Sequence, residues 1–349
     1  MFGDLPKLFG REFAIAFLLP VAVFIPASLL VASSFVIFHT SQTLQNINVF
    51  VHHEALLGAT LFVFLLWLGA VTLLALNRAI IRTKEGYGKL NPARLLLSRQ
   101  RRRFRRRQSE LQELSDRART LKVLGQELDS ASERRRYQLA LSLSTEFPHA
   151  EAFVLPTAFG NTIRAFEVYS SAMYGLDAIP GWPRLLMVMP TSSRSLVDTA
   201  KAEMDFWLNL WLLSVVLFLE YVLLVIGVHQ RGNPWALIAL PLCLISSYRA
   251  RAAAAGWGEL VKAAFDVHLP DLRNKLELCH ENAEKEKVQW QQLSAALIYR
   301  APGSLPPKCV DPRADSVTTR PALLPSDDSE KKDEDAEEDR CQSESNGAS

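Results

Sequence analysis

Apolar residues are concentrated in four blocks along the chain, and polar residues fill the stretches between them. The blocks cover residues 12–38, 55–76, 206–228 and 235–248. The third block has 23 residues, and its strongly polar members are Asn209, Ser214 and Glu220. At about 1.5 Å per residue, a helix of this length measures about 35 Å and can cross a bilayer core of about 30 Å. Backbone amides in lipid must bond within the helix, so the pattern predicts membrane-spanning α-helices.

Short connections join the blocks in pairs, across residues 39–54 and across the turn HQRGNP at 229–234. The first block is too long for a secretory signal, so we expect a retained helix with kinks at Pro20 and Pro26. Serines can bond the carbonyls that proline leaves free in such a helix. The candidates are Ser28, Ser33 and Ser34. We predict a mainly α membrane protein in which two transmembrane helical hairpins flank a cytosolic helical segment.

Basic residues lie on one side of these hairpins. The loop at 39–54 has none, and Arg231 is alone in the second turn. The other flanking cations are Lys7, Arg11, Arg78, Arg82, Lys84, Lys89, Arg249 and Arg251. The positive-inside rule then predicts that both termini are cytoplasmic. The predicted segments are a cytosolic N-terminus (1–11), a first hairpin (12–77), a cytosolic region (78–205), a second hairpin (206–252), cytosolic helices (253–301) and a tail (302–349).

The tail differs from the rest of the chain in charge. From Pro302 onward there are 12 acidic and 6 basic residues, so the tail carries −6 and the remainder +8 of the overall +2. Its composition and its lack of apolar periodicity predict disorder. A basic body beside an anionic membrane face needs no nucleic-acid partner to explain its charge, and we expect none.

The densest basic stretch is RRRFRRR at Arg101–Arg107. It fits a site for anionic lipid or RNA, or a solvated basic surface near the inner leaflet. Each arginine near such a surface adds about 1 kcal/mol of attraction to anionic lipid. Aromatic residues are scarce here, so stacking of single-stranded nucleic acid is poorly supported. We therefore favour the solvated basic surface, with a site for anionic lipid as the alternative and, as a further hypothesis, the acidic tail as an electrostatic shield of the run.

Two stretches show partial heptad patterns. They fit coiled coils or ordinary amphipathic helices, packed on each other or between subunits. The first stripe consists of Leu111, Leu114, Ala118, Leu121 and Leu128, and the second of Leu276, Cys279, Ala283, Trp290, Leu293 and Leu297.

The segment Pro156–Pro190 has several legible signals. Asn161 or Thr162 can cap a helix that runs to Tyr174, and Gly175 occupies the position where a glycine ends a helix. Pro180-Gly181 predicts a turn. Residues 185–189 fit a short strand or a membrane-interface segment. Ser195 and Asp198 fit a cap for the helix that leads into Phe206.

The same segment contains P-T-x-x-G-N-x-x-R-A-x-E from Pro156, then Y-G-L-D from Tyr174, then W-P-R-L from Trp182. This pattern resembles a group of uncharacterised bacterial multi-pass membrane proteins, over roughly Pro156 to the helix after Arg251, including Phe265-Asp266. The resemblance implies a bacterial inner-membrane location and no particular activity. The polar and aromatic residues that we take as candidates are Asn161, Arg164, Glu167, Tyr174, Asp177, Trp182 and Arg184. Arg164 and Glu167 are three apart and can pair on one helical face.

Glu220 lies near the middle of its predicted span, where an ionised carboxylate is costly. An antiparallel neighbour would bring residues 243–247 to the same depth. Glu220 is then either part of a proton or ion relay, or a neutral acid bonded to serines or a tyrosine between helices.

Motifs of common enzymes are missing from the sequence, which has no Walker A loop, no H-E-x-x-H and no G-x-S-x-G. Four scattered cysteines without a C-x-x-C pair predict neither a disulfide framework nor a zinc site. The three histidines of loop 39–54 are expected to be incidental. We therefore expect no enzyme, no metal and no cofactor. The two functional hypotheses are a membrane scaffold or signalling component that binds a protein or a second copy through its cytosolic region, and a small channel or transporter that uses Glu220.

Overall fold

A computed structural model of the chain describes residues 10–33, 55–88, 91–228, 237–279 and 282–306. Within these ranges the protein is mainly helical, and short 3-10 turns at Pro92–Leu96, Glu151–Phe153 and Pro302–Ser304 complete it. The helices are α1 (Arg11–Ser33), α2 (Ala55–Glu85), α3 (Leu97–Val123), α4 (Ser130–Glu146), α5 (Ala158–Glu167), α6 (Tyr169–Tyr174), α7 (Ala178–Val188), α8 (Thr191–Val228), α9 (Ala239–Lys275) and α10 (Ala283–Tyr299). The predicted loop histidines, the turn at 229–234 and most of the tail lie outside the described residues.

Among the described residues, three helices are long and apolar enough to cross a membrane: Arg11–Ser33, Leu57–Glu85 and Thr191–Gly227. They coincide with the first three apolar blocks, which confirms the prediction of membrane-competent helices. The fourth predicted arm begins in undescribed residues, and its described part forms the start of α9.

A neighbouring helix bonds the backbone carbonyl that Pro20 leaves free in α1. Residues Ala14–Leu18 form a π-helical turn just before Pro20. Proline has no N–H, so Pro20 cannot donate to the carbonyl of Ala16 four residues earlier. The buried Asn209 of α8 donates its side-chain N–H to that carbonyl at 2.8 Å. The prediction that serines of α1 do this is wrong for Ser28, which bonds Glu220, and for Ser33, which bonds the carbonyl of Leu30.

Helices α8 and α9 form the central pair of the molecule and pack along each other. Small buried residues recur every four positions on α9, where neighbouring backbones can approach closely. These are Ser246, Ala250, Ala254 and Gly258. α9 also continues past Pro270 to Lys275, beyond the end near Pro270 that the sequence predicts.

Apart from α1 and α2, the remaining helices lie around the second half of α9. We call this part, α3 to α7 with α10 and the portion of α9 after Arg251, the helical body. Its core includes Phe166, Leu176, Leu185, Phe265 and Trp290, all of them 5% exposed or less. α5, α6 and α7 contact α9, and α10 contacts α6 and α7. One cluster thus joins these helices to the central pair.

The two heptad stripes pack against different helices of the chain. α3 packs on α4, and the four stripe residues that lie on α3 are half-buried, whereas Leu128 follows in the loop. The second stripe does not lie on one helix, because α9 ends at Lys275 and α10 begins at Ala283. Trp290 and Leu293 of α10 are buried against the helical body. The stripes therefore contribute to ordinary packing within the chain, and the described helices do not combine them into one coiled coil.

Candidate functional site

The start of α5 is fixed to the end of α2. Thr157, and not the predicted Asn161 or Thr162, caps α5: its hydroxyl oxygen accepts from the N–H of Gly160 at 2.9 Å. The same hydroxyl donates to the carbonyl of Lys84 at 2.8 Å. A side chain at Gly160 would meet the carbonyl oxygen of Glu85 at 2.6 Å, so only glycine allows this approach. The P-T-x-x-G part of the motif is thus a helix-docking device.

Asn161 is fully buried and lies inside α5. Its side-chain oxygen accepts from the N–H of Leu155 at 2.6 Å, and its amide donates to the carbonyl of Leu155 at 3.0 Å. Both polar atoms are satisfied by the backbone of the preceding loop. Asn161 therefore closes that loop and has no free group for a ligand.

Arg164 and Glu167 pair at 3.2 Å, as their spacing predicts. Arg164 also donates to the hydroxyl of Tyr87, and the guanidinium of Arg82 lies 5.6 Å from the centre of the Tyr87 ring. Burial raises the pKa of Glu167, while Arg164 and Arg82 lower it. This cluster joins α5 to the residues after α2.

Tyr174 and Tyr169 hold one carboxylate on α9. The hydroxyl of Tyr174 donates to Asp266 at 2.6 Å, and that of Tyr169 donates to the same carboxylate at 2.9 Å. Burial, followed by these hydrogen bonds to Asp266, raises the pKa of both phenols. The Tyr174 position of the motif and the distant Phe265-Asp266 pair thus belong to one contact between α6 and α9.

Gly175 ends α6 with φ of 84°, which confirms the predicted glycine stop. Asp177 caps α7 through the N–H of Ile179 at 2.9 Å. Trp182 lies with its ring centre 6.0 Å from that of Phe265. Arg184 donates to the carbonyl of Pro180 in its own helix at 2.7 Å.

The predicted turn at Pro180-Gly181 and the predicted strand at 185–189 are wrong, because α7 runs through residues 178–188. The alternative of a membrane-interface segment at 185–189 stays a prediction. Proline is tolerated in the first turn of a helix, where its missing N–H has no intrahelical partner. Ser195 and Asp198 lie inside α8, which begins at Thr191, so they do not cap it.

Glu220 is the one candidate outside the helical body. The hydroxyl of Ser28 on α1 lies 2.9 and 2.8 Å from its two carboxylate oxygens. The partner therefore comes from α1, and not from residues 243–247 of the fourth arm. This geometry is that of an acid bonded to a serine between helices.

A cleft that the sequence did not indicate lies where α2, α5, α8 and α9 meet. It has a volume of about 1050 Å³, and aromatic and aliphatic residues such as Phe159, Trp211 and Leu244 line it. The Nζ of Lys84 lies 2.8 Å from the hydroxyl of Ser247 and 3.6 Å from the centre of the Trp211 ring. The sequence pattern around Lys84 shows only that this cation lies at the end of an apolar block, and it does not indicate which residues surround it. Its neighbours come from distant helices.

The basic run of α3 divides into two faces. Arg105 pairs with Glu151 at 2.6 Å, and Arg107 pairs with Glu146 at 2.7 Å. Arg102 and Arg106 are exposed, and no described carboxylate pairs with them. Only the outward face is available to an external anion.

The described residues contain no group of three or more metal-ligating side chains. Cys243 is a free thiol, whereas Cys279 is disulfide-bonded. Cys279 thus forms a disulfide that the spacing of the cysteines does not indicate.

These contacts show which of the candidate residues lie together in the structure. Of the seven in residues 156–190, Tyr174 and Trp182 contact α9, and Arg164, which pairs with Glu167, donates to Tyr87. Asn161 bonds the loop before α5, Asp177 and Arg184 bond their own helix, and none of the seven lines the cleft. Comparison of the chain with protein-family models, with curated proteins and with solved structures found no match to any of them.

Proposed function

We propose that this protein is an integral membrane scaffold or signalling component that presents its helical body to a protein partner or to a second copy of itself. One observation carries the proposal. Helix α7 buries one side in the core and exposes an apolar stripe on the other, formed by Ile179 (83% exposed), Pro183 and Met187 (82% exposed). These residues are four apart and so lie on one helical face. Exposed apolar surface that recurs on one face is typical of interaction sites.

The position of this stripe argues for a protein partner over lipid. α8 runs from Thr191, directly after α7, into the apolar block that begins at Phe206. The 15 residues before that block rise by about 22 Å along the helix axis. This separation, together with the contact of Trp182 in α7 with Phe265 of α9, supports a position of the stripe outside the apolar layer and favours a protein over lipid as its partner.

The membrane arrangement of the proposal is two hairpins in a bacterial inner membrane, with both termini and the helical body in the cytoplasm and an acidic tail beyond. The distribution of Lys and Arg supports this orientation. The disulfide at Cys279 is the observation against it, because cytosolic thiols are kept reduced. Reporter fusions after residues 88 and 306, active only in the cytoplasm, test the orientation directly.

Transport through Glu220 is the alternative. A relay needs a wet path around its carboxylate, and Glu220 bonds Ser28 and does not line the cleft. Proton and ion flux in liposomes, compared with Glu220→Gln, tests this alternative. Flux that the variant loses would favour it over the scaffold.

The scaffold is tested by site-specific photo-crosslinking in native membranes. A photoreactive side chain at Met187 should give a discrete protein adduct, and Met187→Asp should abolish association while the protein still inserts. The matched control is Val123, which is 87% exposed at the end of α3, away from α7. Equal adducts at both positions, or unchanged association of Met187→Asp, would contradict the proposal.

A further inference from the structure

The cleft between α2, α5, α8 and α9 contains a cation in an unusual setting. Lys84 is partly buried, and its ammonium contacts a hydroxyl and an indole ring. Within the described parts of the chain, no carboxylate pairs with it. Burying an ammonium costs free energy unless an anion or several acceptors compensate. The hydroxyl of Ser247 satisfies one of its three N–H donors, so the site has room for an external anion.

The far side of the cleft adds positive charge. Arg251 lines it and pairs with Glu146 at 2.6 Å. The same carboxylate also pairs with Arg107 at 2.7 Å and lies 3.8 Å from Arg103. One negative charge is thus shared among three arginines, and one of them, Arg251, lines the cleft.

The walls and the position of the cleft indicate which chemical groups a ligand would carry besides its anionic group. Trp211, Leu244 and Phe159 offer apolar contact, and most of the surface that lines the cleft is apolar. Lys84 is at the end of the span Leu57–Glu85, and Trp211 is near the beginning of the apolar part of α8. The cleft therefore lies at the depth where acyl chains give way to head groups, and an amphiphile can use both parts of it.

We propose that this cleft is a binding site for one anionic phospholipid, whose phosphate contacts Lys84 and whose acyl chains lie against Trp211 and Leu244. The proposal depends on insertion of α2 and α8 into a membrane and not on the scaffold function. It is also separate from lipid attraction by the basic run, because neither Arg102 nor Arg106 lines the cleft. Basic pockets between transmembrane helices are a known setting for such head groups.

The test uses the full chain, purified in detergent, and titrates phosphatidylglycerol while native mass spectrometry counts bound lipid. We expect one saturable lipid per chain and no such site for phosphatidylcholine. Lys84→Gln, which removes the charge and keeps a polar N–H donor, should weaken the affinity for phosphatidylglycerol by about tenfold or more, since hydrogen bonds to charged groups commonly contribute this much.

The matched control is Lys122→Gln, which removes the same charge from an exposed position near the end of α3. Unchanged affinity in this variant supports a local site. Equal loss in both variants would overturn the proposal in favour of general charge attraction. Saturable binding of inorganic phosphate alone, abolished by Lys84→Gln, would overturn the lipid assignment in favour of a free phosphate.

A second measurement does not depend on folding of the Lys84 variant. A photoreactive phosphatidylglycerol, activated in vesicles with the wild-type protein, should label peptides that contain residues 83–93 and 244–251. Labelling confined to other parts of α1, α2 and α8 would contradict the proposal.

Discussion

At the scale of single residues, the helical body depends on positions where one atom more would not fit. Gly258 of α9 faces Phe166 of α5, and an added Cβ would lie 2.4 Å from Cδ1 of that ring. The ring packs edge-on against Trp257, with centres 4.9 Å apart, so it cannot easily turn away. Gly175 is similarly constrained, since its Cβ would lie 2.5 Å from the carbonyl oxygen of Lys287.

Two glycines of α9 make a matched pair for a stability prediction. Gly258→Ala should lower the free energy of unfolding by about 1–3 kcal/mol, the usual cost of overpacking. Gly256→Ala should raise it by up to about 1 kcal/mol, because nothing lies within 4 Å of its Cβ position and alanine favours a helix. Denaturant unfolding of the detergent-solubilised protein measures both. Similar values for the two variants would show that α5 does not pack on α9 as described.

At the scale of elements, side chains of α1 and α8 compensate each other's irregularities. Asn209 replaces the donor that Pro20 lacks, and Ser28 satisfies Glu220. Two polar pairs thus fix the rotation and register of α8 against α1, in a setting where apolar contact alone specifies little.

The Ser28–Glu220 bond predicts a measurable interaction between these helices. Ser28→Ala should destabilise the protein by about 0.6 kcal/mol and at most about 1.7, the range for hydrogen bonds between membrane helices. Ser33→Ala, on the same helix, should have little effect because Ser33 bonds only the carbonyl of Leu30. A double-mutant cycle of Ser28→Ala with Glu220→Ala measures the coupling. Additive effects in that cycle would mean that the two side chains do not interact.

At the scale of the whole molecule, α9 connects the membrane part to the helical body. Its first half carries Ser247 and Arg251 to the cleft, and its second half carries Phe265 and Asp266 to α7 and α6. α3, about 40 Å long by its 27 residues, packs on α4, where Arg107 pairs with Glu146. The unpaired arginines face away from the body.

These outward arginines predict a salt-sensitive contact with the membrane surface. Amide hydrogen exchange of residues 91–107 should be slower in vesicles that contain phosphatidylglycerol than in phosphatidylcholine vesicles, and 0.5 M salt, about 4 Å in Debye length, should remove the difference. Substitution of both Arg102 and Arg106 with Gln should remove it as well. Substitution of Arg117 and Lys122, two exposed cations farther along α3, is the control. If amide exchange does not respond to lipid charge, the prediction of membrane contact is wrong and the basic run is a solvated surface.

The sequence alone determined the features that depend on neighbours within a few residues. Apolar length predicts four spanning helices, of which three are membrane-competent in the described residues, a glycine after Tyr174 predicts the end of α6, and three-residue spacing predicts the Arg164–Glu167 pair. The tertiary structure decided the rest: Thr157 caps α5, Asn161 closes a loop, and Ser28 meets Glu220 across 192 positions of sequence. It also decided that Lys84, Trp211 and Ser247 share a cleft. Such contacts depend on how each helix is rotated and shifted against its neighbours, and no local pattern of residues encodes that geometry.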